Sequence, residues 1–214
     1  MKTMSLAVVA VAALALAGCG SNTAEPSATT TTTTTTTSTP AASSSASSPE
    51  MMSAQPVAGP HNGDDAMFAQ MMIVHHQGAL DMSKLAPTRA DSDEVKALAT
   101  RIEKAQQPEI DQMTSWLRSW NEPLEAGHGA HDMPGMDING QTQEEVNKKL
   151  AALKGTDFDR YYLESMIAHH EGALVMAKDE IAKGESPDAK KLSEEIVSSQ
   201  ATEIAEMKKM LAAL

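Results

Sequence analysis

Two adjacent histidine pairs are the residues of this sequence best suited to chemistry. His75-His76 is followed by Gln-Gly-Ala-Leu, and His169-His170, 94 residues later, by Glu-Gly-Ala-Leu. Imidazole nitrogens ligate metals and exchange protons near neutral pH. Each pair therefore predicts either a metal site or a buried polar network that needs hydrogen-bond partners.

Aspartates and methionines accompany both pairs at helical spacings. With 100° per residue, the members of each set fall within about 120° on one side of a helix. The first set is Asp65, Met72, His75, His76 and Met82, and the second is Asp159, Met166, His169, His170 and Met176. Imidazole with carboxylate suits Zn, Fe, Mn or Cu(II), whereas imidazole with thioether selects Cu(I).

Glu109 and Glu203 are the candidate partners of the histidines, because each lies on the helix predicted to pair with a histidine helix. An unpartnered buried polar group costs about 1–3 kcal/mol. Three arrangements remain open: His–Glu hydrogen bonds, protonated His–carboxylate pairs, or shared metal ions. The alternative without metal treats the histidines as satisfied core residues and the methionines as core fillers.

The segment between the two copies carries a separate donor set. His128, His131, Met133 and Met136 lie within nine residues of a Gly-rich stretch. These soft and borderline donors predict a second metal site, with a solvated linker as the alternative. The sequence leaves open whether this loop and the helices form one site.

The duplication defines the architecture. Sliding the chain by 94 residues aligns 64–120 with 158–214 without a gap, and 19 of the 57 aligned positions are identical. Each copy is predicted to be a helical hairpin, and Thr142 with Glu145 predicts a capped short helix over 143–153. Each hairpin carries one apolar stripe, and the two hairpins bury these stripes by packing against each other. The prediction is an all-α four-helix bundle with pseudo-twofold symmetry.

Composition excludes several classes of protein. The net charge of −12 argues against a nucleic-acid binder, and the 3% aromatic content argues against an all-β fold. The single cysteine excludes an internal disulfide framework and a Cys-based zinc site.

The N-terminal region predicts export and anchoring. Residues 1–18 combine Lys2 with a short apolar run, as in a secretion signal, and the Leu-Ala-Gly-Cys ending at Cys19 resembles a bacterial lipobox. Lipidation of Cys19 would anchor the chain to the outer face of the cytoplasmic membrane, and an ordinary signal peptide is the alternative. Residues 19–62 read as a disordered tether and 63–214 as the domain, with repeats at 64–120 and 157–214 around a 121–156 connection.

The motifs of the domain resemble those of the domain-of-unknown-function family 305 (DUF305). The matching stretches run from Phe68 to Met82, from Tyr162 to Met176 and from His131 to Met136, with Gln106-Gln-Pro-Glu109-Ile and Gln200-Ala-Thr-Glu203-Ile on the second helices. The resemblance implies a ferritin-like helical bundle, often secreted or lipid-anchored, with copper binding and copper tolerance in some members. It does not identify which histidine of a pair is a ligand, and no general activity is established for the family.

The leading hypothesis is a lipid-anchored copper-binding protein that sequesters or passes on Cu(I), with Cu(II) or another divalent metal as further options. The candidate ligands are His75, His76, His169, His170, Met72, Met82, Met166, Met176, Glu109 and Glu203, with His128, His131, Met133 and Met136 as a second site. A module whose His–Glu networks are structural is the main alternative. A di-metal oxidase would need Glu-x-x-His motifs, and none lies on the predicted core face.

No nucleophile motif or phosphate loop is present, so the sequence predicts no enzyme. It predicts contact with the membrane through the lipid and none with nucleic acid. The donor or acceptor protein and the oligomeric state are left open.

Overall fold

The structure is a computed structural model that describes residues 59–125 and 135–214. Its helices are α1 Gly63–Ser83, α2 Ala86–Arg89, α3 Asp93–Trp120, α4 Gln143–Ala152, α5 Thr156–Lys183 and α6 Pro187–Ala213. The all-α prediction is confirmed. The four long helices α1, α3, α5 and α6 correspond to the two predicted hairpins, while α2 and α4 make a plain four-helix bundle only a rough description.

Local sequence signals account for where the helices begin. Ser92 and Ser186 cap α3 and α6 through their hydroxyls. Thr142 begins α4 with the capping box that the sequence predicts. Asn62 caps α1 in the same way. These contacts satisfy backbone N–H groups that the first turn of a helix leaves without partners.

The two hairpins pack through their first helices. Helix α1 packs on α3, α5 packs on α6, and α1 and α5 lie antiparallel against each other. Apolar side chains form two cores, one toward each end of this central pair. Core 1 includes Phe68, Met72, Met113, Leu117, Met176 and Ile196. Core 2 includes Met82, Leu98, Ile102, Phe158, Tyr162 and Met166.

Two buried aspartates tie each hairpin to the turn of the other. The carboxylate of Asp65 accepts a hydrogen bond from the backbone N–H of Ser186 at 2.9 Å, and Asp159 accepts one from Ser92 at 2.9 Å. Each aspartate thus secures the connection between the two helices of the opposite repeat. The sequence grouped both with the possible metal ligands, and the structure places them at the ends of the bundle.

Helix α4 covers one end of the central helix pair. Val146 and Leu150 are fully buried in core 2, and the Lys149 ammonium lies 3.8 Å from the centre of the Tyr161 ring. The guanidinium of Arg89 donates to the carbonyl of Leu153 at 3.2 Å, just beyond the helix. The sequence predicted this helix but not its position.

The predicted secretion signal, Cys19 and most of the predicted tether lie outside the described residues. None of the helices within 59–125 and 135–214 is long and apolar enough to cross a bilayer.

Candidate metal centre

The four paired histidines meet at the middle of the bundle, between the two cores. Each pair lies near the centre of its helix, and the antiparallel packing of α1 and α5 brings the pairs together. The rings of His75 and His169 have centroids 3.6 Å apart, with planes inclined by 36°. Since these two positions are equivalent in the repeats, the pseudo-twofold axis passes between them.

The outer histidine of each pair is held by a glutamate. Nε2 of His76 lies 2.6 Å from the carboxylate of Glu109, and Nε2 of His170 lies 2.7 Å from that of Glu203. The imidazoles are fully buried, while both glutamates keep about a fifth of their side chains exposed, at 21%. This contact is common to two of the three arrangements that the sequence left open, the neutral His–Glu hydrogen bond and the protonated His–carboxylate pair.

Six imidazole nitrogens at this centre make no well-formed hydrogen bond within the described part of the chain, although backbone groups of His169 and Gly135 approach the ring of His75 and a backbone group of His75 approaches that of His169. The six are both ring nitrogens of His75 and of His169, and Nδ1 of His76 and of His170. Most buried polar side-chain atoms in proteins do have a partner, so a cluster of six without one is unusual. Unpartnered imidazole nitrogens are the atoms that bind transition metals.

Burial holds the pKa of His75 and of His169 well below the usual histidine value. Neighbouring imidazoles act in the same direction, because protonation of one ring disfavours protonation of the next. The two rings that meet at the axis are therefore neutral at physiological pH. Neutral imidazole is the form that ligates a metal without first losing a proton.

The arrangement is not a ready-made coordination shell. Within residues 59–125 and 135–214, no three His, Cys, Asp or Glu side chains converge as the ligands of one ion. Metal–nitrogen bonds of roughly 2 Å would also set two bridged rings further apart than 3.6 Å. The histidines at the axis must therefore turn before they share an ion.

The four candidate methionine ligands lie in the cores on either side of the histidines. Met72 and Met176 belong to core 1, and Met82 and Met166 belong to core 2. All four are buried, and only Met176 retains as much as 9% exposure. Their packing accounts for their burial without a metal, and they remain candidate ligands for an ion at the histidines.

The loop candidates are only partly described. His128, His131 and Met133 lie outside the described residues, whereas Met136 packs against core 1. The backbone of Gly135 meets that of Gly172 so closely that a Cβ on either residue would overlap the other. The described end of the loop thus reaches α5 one turn beyond His169.

The glycine after each histidine pair has a specific packing role. A Cβ at Gly78 would collide with the side chain of Gln143, the first residue of α4, just as one at Gly172 would collide with Gly135. The neighbour is the connection between the repeats in each case.

The sequence pattern did not predict one buried acid, Glu180. Glu180 is 2% exposed, and its pKa is raised to about 8 by burial and by the nearby carboxyl of Asp65. Burial alone would raise the pKa of Asp65 too, but the neighbouring Glu180 carboxyl and the hydrogen bonds from backbone N–H groups lower it overall. Ala86 occupies the equivalent position in the first repeat, so the duplication gave no signal for Glu180.

Comparison with known proteins adds three structural relatives. A family model described as "Domain of unknown function (DUF305)" matches residues 65–211. A predicted secreted DUF305 protein of Streptomyces coelicolor is 35% identical, with 70% of this chain and 93% of that chain covered and a TM-score of 0.64. A DUF305 fragment from Deinococcus radiodurans is 28% identical, with 73% and 100% covered and a TM-score of 0.65.

The third relative is a protein named CopM, solved in Cu(I)-bound and Cu(II)-bound forms and with silver. Its Cu(I)-bound form is 33% identical, with 70% of this chain and 96% of that chain covered and a TM-score of 0.57. No curated protein sequence matches the chain.

Proposed function

This chain belongs to the DUF305 family, and from that premise we propose that it is an extracytoplasmic copper-binding protein. The observation that carries the proposal is the cluster of six buried imidazole nitrogens at the pseudo-twofold axis that make no well-formed hydrogen bond within residues 59–125 and 135–214. Neutral imidazoles with thioethers nearby favour Cu(I) over harder ions. The copper-bound and silver-bound forms of CopM support the same choice of metal.

The two members of each pair would have different roles. His75 and His169 offer both ring nitrogens and meet at the axis, so they are the proposed primary ligands. His76 and His170 use Nε2 toward a glutamate and keep Nδ1 available. A histidine that ligates through one nitrogen while a carboxylate orients the other is a common arrangement in metal proteins. Glu109 and Glu203 would then tune the site without binding the ion.

The proposal includes anchoring through a lipid on Cys19 and a tether over 19–62 that holds the domain away from the membrane. The predicted secretion of the Streptomyces coelicolor relative supports an extracytoplasmic location. The net charge of −12 would raise the local concentration of metal cations. The protein would sequester copper or pass it on, with no chemical step of its own.

An anaerobic Cu(I) titration of the full chain against a competing chelator tests the proposal. The double variant His75→Ala/His169→Ala is expected to weaken binding by about 100-fold or more, since it removes the primary ligands. Glu109→Gln/Glu203→Gln is expected to weaken it about tenfold, as a loss of ligand orientation does. His61→Ala is the matched control, because His61 stacks on Trp120 away from the axis.

Each variant must retain its helical circular dichroism and a cooperative melting transition for the titration to count. Unchanged Cu(I) affinity in the His75/His169 variant would refute the central site and point to the loop around His128 and Met136. Weak binding of Cu(I), Zn and Fe(II) by the wild-type chain would refute metal binding altogether.

A second candidate function is a helical interaction module whose histidines are structural. The two His–Glu hydrogen bonds favour it, because they satisfy one nitrogen of each outer histidine without a metal. In that case His76→Ala and His170→Ala would lower the melting temperature equally with and without copper. Stabilisation of the wild type by copper, lost in the variants, would exclude it.

A further inference from the structure

An apolar groove lies open at the core 1 end of the central helix pair. It encloses about 570 Å³, and its apolar lining comes from Met67, Phe68 and Met71 of α1 and from Val175 and Met176 of α5. Met67 and Val175 are 48% and 51% exposed. Exposed apolar side chains that line one groove commonly mark a surface that another segment covers.

The groove is the repeat counterpart of the surface that α4 covers at the core 2 end. The offset of 94 residues pairs four of its lining residues with residues at or beside α4: Met67 with Tyr161, Phe68 with Tyr162, Met176 with Met82, and Lys183 with Arg89. Tyr161 lies beneath Lys149, and Arg89 binds the end of the α4 segment. Among the described residues, the same helix surfaces are therefore covered in one repeat and uncovered in the other.

The same offset identifies a segment of this chain as the counterpart of α4. It places Gln143–Ala152 on residues 49–58, and the buried Val146 on Met52. Ser48 aligns with Thr142, the N-cap of α4, and a proline follows it as the first residue of the segment. Serine followed by proline is a common helix beginning. Pro56 stands where α4 has Leu150, so a helix here would end before it.

The chain reaches α1 beside this groove. The Asn62 amide, just before α1, donates to the carbonyl of Lys183 at 2.9 Å, and Lys183 lines the groove. Residues 51–58 therefore precede α1 at the end where the groove opens. Eight residues span up to roughly 26 Å when extended, which is enough to lie along it.

We propose that residues 51–58 dock in this groove, with the Met52 side chain in the position that Val146 holds in core 2. Docking would cover Met67, Met71 and Met176 and fix the point at which the tether leaves the domain. The inference rests on the groove and the repeat alignment, so it stands whether or not the histidines bind copper.

Oxidation of Met67 by dilute peroxide, followed by mass spectrometry of the full chain, tests the docking. Met52→Asp is expected to speed Met67 oxidation about tenfold, the factor that corresponds to ~1.4 kcal/mol of docking free energy. Met51→Asp is the matched control, because Met51 aligns with the exposed Glu145 and should leave the rate unchanged. Met113, fully buried in core 1, reports on global unfolding and should oxidise slowly in all three chains.

Equal Met67 rates in the wild type and both variants would overturn the proposal. Protection of Met67 that disappears on dilution, whatever residue stands at 52, would also overturn it and assign the groove to a second copy of the chain. Protection that appears only when phospholipid vesicles are added would overturn it in favour of a lipid surface.

Discussion

The two ends of the bundle come from one duplicated sequence, yet they differ in chemistry. At the core 2 end the hydroxyls of Ser83 and Tyr162 share a hydrogen bond of 2.9 Å, under the cover of α4. At the core 1 end the equivalent residues are Ala177 and Phe68, and the open groove replaces α4. The middle, in contrast, keeps the same His–Glu bonds in both repeats.

This difference shows where the repeats are free to diverge. A change at one end alters only the turn, cap or cover of that end. A change at the axis alters the contact between two equivalent histidines, so each copy constrains the other. The symmetric middle therefore points to a shared role for the histidines, and the unequal ends point to separate local roles.

A charged side chain placed in core 2 beneath α4 should have the largest effect on the free energy of unfolding. Val146→Asp puts a carboxylate in core 2 and should cost about 3 kcal/mol or more, because an unpaired buried charge is not tolerated there. Met67→Asp, in the groove at the core 1 end, should cost less, no more than the ~1.4 kcal/mol assigned to docking of residues 51–58. Urea titrations followed by circular dichroism measure both. Equal losses would show that the two ends are equally covered.

Substitutions that give the core 2 end the residues of the core 1 end should have an intermediate effect on the free energy of unfolding. Tyr162→Phe removes the hydrogen-bond partner of the buried Ser83 hydroxyl and should lower the free energy of unfolding by about 1–3 kcal/mol. The double variant Tyr162→Phe/Ser83→Ala reproduces the Phe68 and Ala177 pair of core 1 and should recover part of that loss. A double variant whose cost equals the sum of the single changes would rule out coupling between the two hydroxyls.

A pH-dependent effect is expected for the acid found only at the core 1 end. The pKa of Glu180 is raised to about 8 from an ordinary value of 4.5, which means that the folded state binds this proton more tightly than the unfolded state. The stability that results is fully present below pH 4.5. That contribution is lost as the pH rises from 4.5 through 8. Glu180→Gln keeps the side chain neutral, so its melting temperature should exceed that of the wild type by an increasing margin across this range.

The matched control for Glu180→Gln is Glu195→Gln, since Glu195 lies on α6 with its side chain 59% exposed in a surface ion pair. Its melting temperature should follow that of the wild type at every pH. A constant offset between Glu180→Gln and the wild type from pH 4.5 to 9 would show that Glu180 does not titrate in this range.

The sequence predicts much of the fold because periodicity and capping are local properties. Apolar periodicity and capping predict helices at about 64–85 and 92–120 in the first repeat, close to the observed α1 and α3. The short helix predicted over 143–153 corresponds to α4. The one-turn helix α2 and the N-cap at Asn62 were missed, since neither produces a periodic apolar pattern.

The candidate site is only partly predictable in this way. Helical angles placed both histidines, an aspartate and two methionines on one side, and all of these are buried. They could not separate Asp65, which binds the turn of the other repeat, from His75, which meets its counterpart at the axis. A helical wheel gives direction around an axis, whereas these roles depend on position along it relative to an antiparallel neighbour.

The sequence by itself determined the long helices, the duplication, the candidate glutamate partners of the histidines and the acidic charge, because each follows from residue type and spacing. Tertiary structure alone decided which imidazole nitrogens lack partners, which end of the bundle is covered, and that Glu180 faces Asp65. The physical reason is that burial and pairing depend on the packing of α1 against α5, a contact between residues almost a hundred positions apart.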